Sequence, residues 1–416
     1  MDFFEQWDEA KWHFTYSDED EPDKTVLQGG LVIVLHMLKS YLKGNRDALA
    51  SAMYRINEVF GTQFHWGYWE HPNREVAYTR ERFAESAEWV RTRPVTHPAY
   101  FTWSSGPGYD FVGDYGIDAF SQMSLKEEEW KTVSYLRVYL PVEILRGEGR
   151  QGFDALVKDL SSRLPVSHGY AGLGFQQCNE YSRYENLELE LAEQFLGFDV
   201  ADPNGHPELR DGIKSVNWYT ILNSSWLEKL GGRDALARAV QDEAPNGLSL
   251  LEYVNGVIVK AGDWPSLGWI EHDPQPAAYV AANRVLKPVR VPELRCLHMG
   301  SIVGEVRFDN VSTDQWLRRF DAPGIWPPSV NGGVLIQPTP DVENVVDIES
   351  YAPKPQPPSG RTLRAYPGQP CPQSGEWFSP LVKGAAVRVN QGELMPGPET
   401  TKQGAVTWYL RLPESD

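Results

Sequence analysis

The chain has 416 residues and a formal charge of −18, with 41% apolar and 12% aromatic residues. That is enough for two or three domains with a sizeable core, and the composition is neither disordered nor collagen-like. A balance this acidic disfavours nucleic acid and anionic membranes as ligands, because both are gripped by Lys and Arg meeting phosphates.

The N-terminus, Met1-Asp2-Phe3-Phe4-Glu5, is acidic where a secretory signal needs a basic and then an apolar region. No stretch approaches the ~20 apolar residues that span a bilayer. The expectation is a cytoplasmic protein. Residues 1–24 form an acidic, aromatic segment: nine carboxylates precede residue 24 against the single base Lys11, interleaved with Phe3, Phe4, Trp7, Trp12, Phe14 and Tyr16.

Residues 25–295 alternate between strand-like and helix-like patterns. Leu31 to Leu38 reads as a buried strand. Leu49, Met53, Ile56 and Phe60 form one apolar stripe on a helix starting near Asp47, and a second helix follows Thr79. Tyr100 to Ser104, Tyr115 to Phe120 and Val133 to Leu140 are rich in β-branched and aromatic residues and read as strands. Phe153, Leu156, Val157, Leu160 and Leu164 give another helical stripe. The Gly-rich run Gly169 to Phe175 reads as a strand leading into a long acidic helix from Asn179 to about Leu196. Strands near Trp218 to Leu222 and Val254 to Lys260, and helices near Trp226 to Val240 and Ala277 to Leu286, complete an α+β core with mixed sheet pairing and packed helices.

After a connecting region, 296–352, the composition changes. Between Ala322 and Gly404 there are 15 prolines and 10 glycines, which exclude long helices. Residues 353–416 comprise a polyproline-type linker, Pro353 to Gly360, and a small β module with strand-like pieces at Ala386 to Val389 and Ala405 to Leu412.

Catalytic signatures are scarce. No GxSxG, Walker A, HExxH or EF-hand pattern occurs. Gly169, Gly172 and Gly174 lack the Lys-Ser/Thr of a phosphate loop and read as strand packing. His65 and His71 bracket an aromatic turn, and Asp110, Asp114 and Asp118 alternate with glycines and aromatics. Together they are the raw material of a metal-dependent hydrolase, the competing class, but fit an aromatic hairpin and a strand-loop-strand better. Cys178, Cys296 and Cys371 are too few and too far apart for a disulfide framework or a metal knuckle and read as buried thiols. The residues call for neither a metal nor a cofactor.

Trp218, the run Leu222-Asn223-Ser224-Ser225-Trp226-Leu227-Glu228-Lys229-Leu230-Gly231-Gly232, the run Val257 to Pro265 (VIVKAGDWP) and Tyr279 resemble the TsiV family of type VI secretion immunity proteins, which is associated with VRR-type nuclease toxins. The resemblance spans about residues 25–290. Gly368 to Trp377 (GQPCPQSGEW), Gly392 to Pro396 (GELMP) and Trp408 are similar to a module at the end of several polymorphic-toxin immunity proteins, in which the position of Glu376 is often aromatic.

The resemblance implies an antidote that binds and neutralises a cognate basic nuclease effector, without catalysis of its own. Acidity and abundant Trp and Tyr suit a surface that covers a DNA-binding groove. Immunity to a periplasmic toxin, the remaining alternative, calls for a signal peptide. Two acidic blocks are candidates for the partner surface. One is Glu185, Glu188, Glu190 and Glu193, expected on the exposed face of a helix anchored by Tyr184, Leu187, Leu191 and Phe195. The other is Asp18, Glu19, Asp20 and Glu21.

Overall fold

A computed structural model describes residues 2–18, 21–70, 74–178, 183–201, 206–298, 306–327, 364–379, 382, 386–397, 400–401, 404–406 and 408–411. Glu19, Asp20, His71, Asn179 and the linker Pro353 to Gly360 lie outside the described residues.

The N-terminal segment begins with a helix, α1 (Phe3–Ala10), which the sequence reading left unassigned. Asp2 and Glu5 close a reciprocal capping box at its start. Phe3, Trp7, Phe14 and Tyr16 are buried against the body, and Trp12 alone of the six aromatics stays largely exposed. A short strand β1 (Thr15–Ser17) then pairs with β2 (Thr25–Met37).

β2 is the axis of the sheet. It pairs antiparallel with β7 (Ser134–Leu140) on one side and β8 (Val166–Gln177) on the other, so both of its edges are paired, and from Gly30 to Met37 it is buried on both faces. This explains its nearly continuous apolar sequence. Leu31, Ile33, Leu35 and Met37 enter the main core, while Val32 and Val34 join a small cluster with Tyr170 on the opposite face.

From β7 the sheet continues through β6 (Gly116–Ser121), β5 (Ala99–Ser104), β3 (Trp66–Trp69) and β4 (Val76–Ala77). From β8 it continues through β9 (Tyr219–Asn223), β11 (Gly256–Ala261) and β10 (Leu248–Tyr253). With β1 this makes 11 strands, all paired antiparallel, so the fold is α+β as expected while the sheet pairing is uniform. The hairpin partner β10 went unread because its apolar pattern is broken by Ser249 and Glu252.

Three helices cover the main-core face. α2 (Lys43–Phe60) buries Leu49, Met53 and Ile56, as its stripe predicts. α3 (Arg80–Thr92) starts at the Thr79 cap, and its Ser86 Oγ accepts the indole N–H of the fully buried Trp103 at 3.0 Å. α5 (Gly149–Arg163) stacks Phe153 on Trp218 of the opposite half-sheet. The helix expected from Trp226 to Val240 is two helices, α7 (Ser224–Lys229) and α8 (Arg233–Asp242). Gly231 and Gly232 separate them at φ +85° and +91°, values that L side chains rarely adopt. The stripe read as one helix because both halves turn their apolar residues inward. α9 (Ala277–Leu286) has the expected bounds.

Residues 296–298 and 306–327, within the stretch read as a connector, pack into this body. Their helix α10 (Asn310–Leu317) buries Trp316, and Trp326 donates its indole N–H to Ala192 O at 2.7 Å. Beyond the linker, β12 (Arg364–Ala365), β13 (Gly375–Phe378), β14 (Val387–Val389) and β17 (Trp408–Arg411) form a four-stranded sheet. A separate pair, β15 (Thr400–Thr401) and β16 (Gly404–Ala405), accompanies it, and β16 lies against Lys11–Phe14. Trp377 and Trp408 fill the module and donate to Gln373 O and Pro396 O.

Candidate partner-binding surface

The acidic helix is α6 (Glu185–Gln194), and all ten of its residues are buried. Its carboxylates were expected in solvent. Instead Glu185 and Glu188 are each 1% exposed, Glu190 is 1% and Glu193 is 7%. Two of them meet the strap formed by residues 296–298 and 306–327: the Arg307 guanidinium Nη1 lies 2.9 Å from Glu185 Oε2, and the His298 imidazole Nε2 lies 2.8 Å from Glu188 Oε2. The other oxygen of Glu188 accepts the Ala201 N–H at 2.8 Å. Repulsion along the helix is thus offset by partners 110 and 122 residues away, a relation invisible to a reading of local charge.

The N-terminal acids divide. Asp18 is 2% exposed and does structural work: it accepts Tyr184 Oη–H at 2.6 Å, ion-pairs with Arg183 and receives the Glu21 N–H. Glu21 is different, with a side chain 65% exposed, and Asp23 is exposed beside it.

These two residues border a second acidic element that sequence order places far away. The loop between β5 and β6 folds onto the start of β2, its Val112 N–H donating to Thr25 O at 2.9 Å. It brings Asp110 within 2.6 Å of Lys24 Nζ, and Asp114 accepts from Gln28 Nε2 at 3.1 Å. The Lys24 hydrogen bond holds the Asp110 carboxyl below its ordinary range. Glu75, exposed, approaches the same loop at Gly108. Tyr109 in this loop is 37% exposed, and its ring centre is 6.1 Å from that of Trp66. The result is an exposed rim of carboxylates around aromatic rings at one end of the sheet.

The residues of the competing hydrolase reading are dispersed. Asp110, Asp114 and Asp118 face Lys24, Gln28 and Arg137 respectively, the last through two bonds of 3.1 and 3.2 Å. His65 is exposed. Among the described residues no group of three or more His, Cys, Asp or Glu side chains could hold a metal. Gly172 and Gly174 are packing glycines: a Cβ on Gly174 would sit 2.7 Å from Val32, and one on Gly172 would sit 2.1 Å from Asn217 Oδ1. Cys178 and Cys371 are buried and Cys296 half-buried. Behind Arg137, a slot with about 10 Å³ of free space is lined by His36, Tyr135, Tyr139, Tyr170 and Asp199, room for roughly one water. Burial and the neighbouring His168 hold the His36 imidazole well below its ordinary pKa. Among the described residues no helix is long and apolar enough to cross a membrane.

Residues 48–320 match the model of the TsiV family, described as type VI immunity for VRR-NUC. No curated protein matches the chain. Among solved structures, Pseudomonas aeruginosa T6SS protein PA0821 is similar, with a TM-score of 0.66 and 25% identity over 76% of this chain and 91% of that one. The C-terminal module at 364–411 lies beyond the residues matched to the family. With the match covering more than half of its length, the chain belongs to the TsiV family of type VI immunity proteins.

Proposed function

We propose that this protein binds a cognate VRR-NUC-type nuclease effector and neutralises it by covering its DNA-binding surface, with no catalytic turnover of its own. Membership of the TsiV family is the observation that carries the reading. The charge of −18 supports the mode of action. A nuclease must present Lys and Arg to phosphates, so an acidic protein seated on that surface excludes DNA both by volume and by potential. Opposite potentials also speed encounter, which matters for an antidote that must capture its toxin before DNA is cut. The site of action is the cytoplasm, where the effector meets DNA.

The test is inhibition with purified components. One equivalent of this protein is expected to stop DNA cleavage by the cognate effector, and the protein alone to leave DNA uncut and unbound. Continued cleavage in the presence of a stoichiometric excess would contradict the reading.

A further inference from the structure

We propose that the rim at the β5–β6 end of the sheet, Glu21, Asp23, Glu75 and Asp114 around Tyr109 and Trp66, is the docking surface for the Lys- and Arg-bearing face of the nuclease. The proposal rests on the immunity reading above and assigns it a place.

Three observations converge there. The first is charge that the fold has left open: Glu21, Asp23, Glu75 and Asp114 are exposed. Of the nearby cations, Lys24 is shared between Asp110 at 2.6 Å and Glu21 at 3.7 Å, Arg183 pairs with Asp18, and Arg74 flanks Glu75 in sequence. By contrast, the carboxylates of α6 have been taken out of solvent by the strap. The second is the aromatic anchor. Tyr109 is exposed in the loop that carries Asp110 and Asp114, and Tyr and Trp are among the residue types that dominate binding energy at interfaces. The third is an unmade hydrogen bond. Trp66 is 4% exposed, its ring packs by Tyr109, and its indole N–H has no acceptor among the described residues. Buried donors are rarely left unpaired; this one is closed to solvent in the free protein, so a partner carbonyl would reach it where docking shifts the Tyr109 ring packed beside it.

The chemistry of the occupant follows. Carboxylates spaced around a ring suit guanidinium and ammonium groups, which can pair with the acids and stack on the Tyr109 face. A partner bearing carboxylates would be repelled.

The experiment uses the full chain and the cognate effector in three arms. Glu21→Lys, Asp23→Lys and Glu75→Lys together should weaken binding on the order of 100-fold, largely through a slower on-rate, with the thermal midpoint retained. A control with the same change in net charge, Glu85→Lys, Glu128→Lys and Glu129→Lys, alters exposed carboxylates on α3 (Arg80–Thr92) and α4 (Ser124–Trp130), away from the rim. It should change affinity less than about fivefold. Trp66→Phe keeps an aromatic ring, though a smaller one, and removes the N–H, and should cost about 5- to 10-fold. Equal losses in the rim and control variants would mean that net charge alone acts and would overturn the rim. Undiminished binding by a folded rim variant would overturn it too. A wild-type chain that fails to bind the effector contradicts the immunity reading itself and the rim with it.

Discussion

Two acidic blocks, alike in sequence, meet opposite fates in the fold. The block at 184–209 has seven carboxylates and no Lys or Arg, yet α6 is sealed under a strap that delivers Arg307 and His298 to Glu185 and Glu188. Among its described residues the block at the N-terminus keeps only Asp18 inside and leaves Glu21 and Asp23 in solvent, where the β5–β6 loop adds Asp114. Charge density along a chain therefore does not say which carboxylates hold the fold and which remain for a partner. That is decided by cations distant in sequence.

The largest effect should come from breaking a buried pair. Glu188→Lys buries an ammonium against the His298 imidazole, and Glu185→Lys places one against the Arg307 guanidinium. Each should destabilise the protein by about 3–5 kcal/mol, because a charge is left buried without compensation. Glu21→Lys and Asp23→Lys should stay within about 0.5 kcal/mol, the range of exposed surface changes. Denaturant unfolding of the four variants measures this directly, and equal stability across the set would erase the distinction.

A somewhat smaller effect should follow pH. Burial lowers the His168 pKa to about 4, with its Nε2 2.7 Å from Leu209 O, whereas an unfolded histidine titrates near 6.5. The unfolded chain then binds the extra proton first as pH falls. Stability from this group is complete above about pH 6.5 and is lost toward pH 4, by about 3 kcal/mol. His36, lowered in the same direction by burial, steepens that loss. Asp321 acts below this window: burial raises its pKa, but bonds from Arg290, Asn283 and Lys287 outweigh this and hold the carboxyl well below the ordinary range. Its contribution is present above about pH 4 and disappears on further acidification. Unfolding curves at pH 7.5, 6 and 5 should show falling stability, with a shallower fall in a folded His168→Gln variant; no change across this range would contradict the burial account.

The smallest effect concerns the C-terminal module. We propose that residues 353–416 form a unit joined through the linker. Limited proteolysis should cut near Lys354 or Arg361 and leave the N-terminal body with its thermal midpoint within a few degrees. A single cooperative loss of the whole chain after cleavage would show that the contact of Gly404–Ala405 with Lys11–Phe14 is integral to the body.

Much of the framework was legible because local periodicity carries it. The α2, α3, α5 and α9 stripes and the β2, β5, β6 and β7 runs emerge near their expected bounds. The packing role of Gly172 and Gly174 was legible because their run lacks the Lys-Ser/Thr of a phosphate loop. The candidate surface was legible only in part. Glu21 belongs to the exposed acids, but the approach of the β5–β6 loop depends on the sheet order, which no local pattern encodes. The α6 reading failed because amphipathic spacing assigns one inner face, whereas a helix covered on all sides has no outer one. A signal was available in Arg307 and Arg319, bases in an apolar context, yet only the fold joins them to α6 and to the Leu196 carbonyl that follows it.

The central claim is that the exposed rim serves the partner while the buried acids serve the fold. It is tested most directly by the affinity of the effector for the Glu21→Lys, Asp23→Lys, Glu75→Lys variant, measured beside its unfolding free energy. The account predicts a loss on the order of 100-fold in affinity with stability unchanged. Wild-type affinity in that folded variant would contradict it.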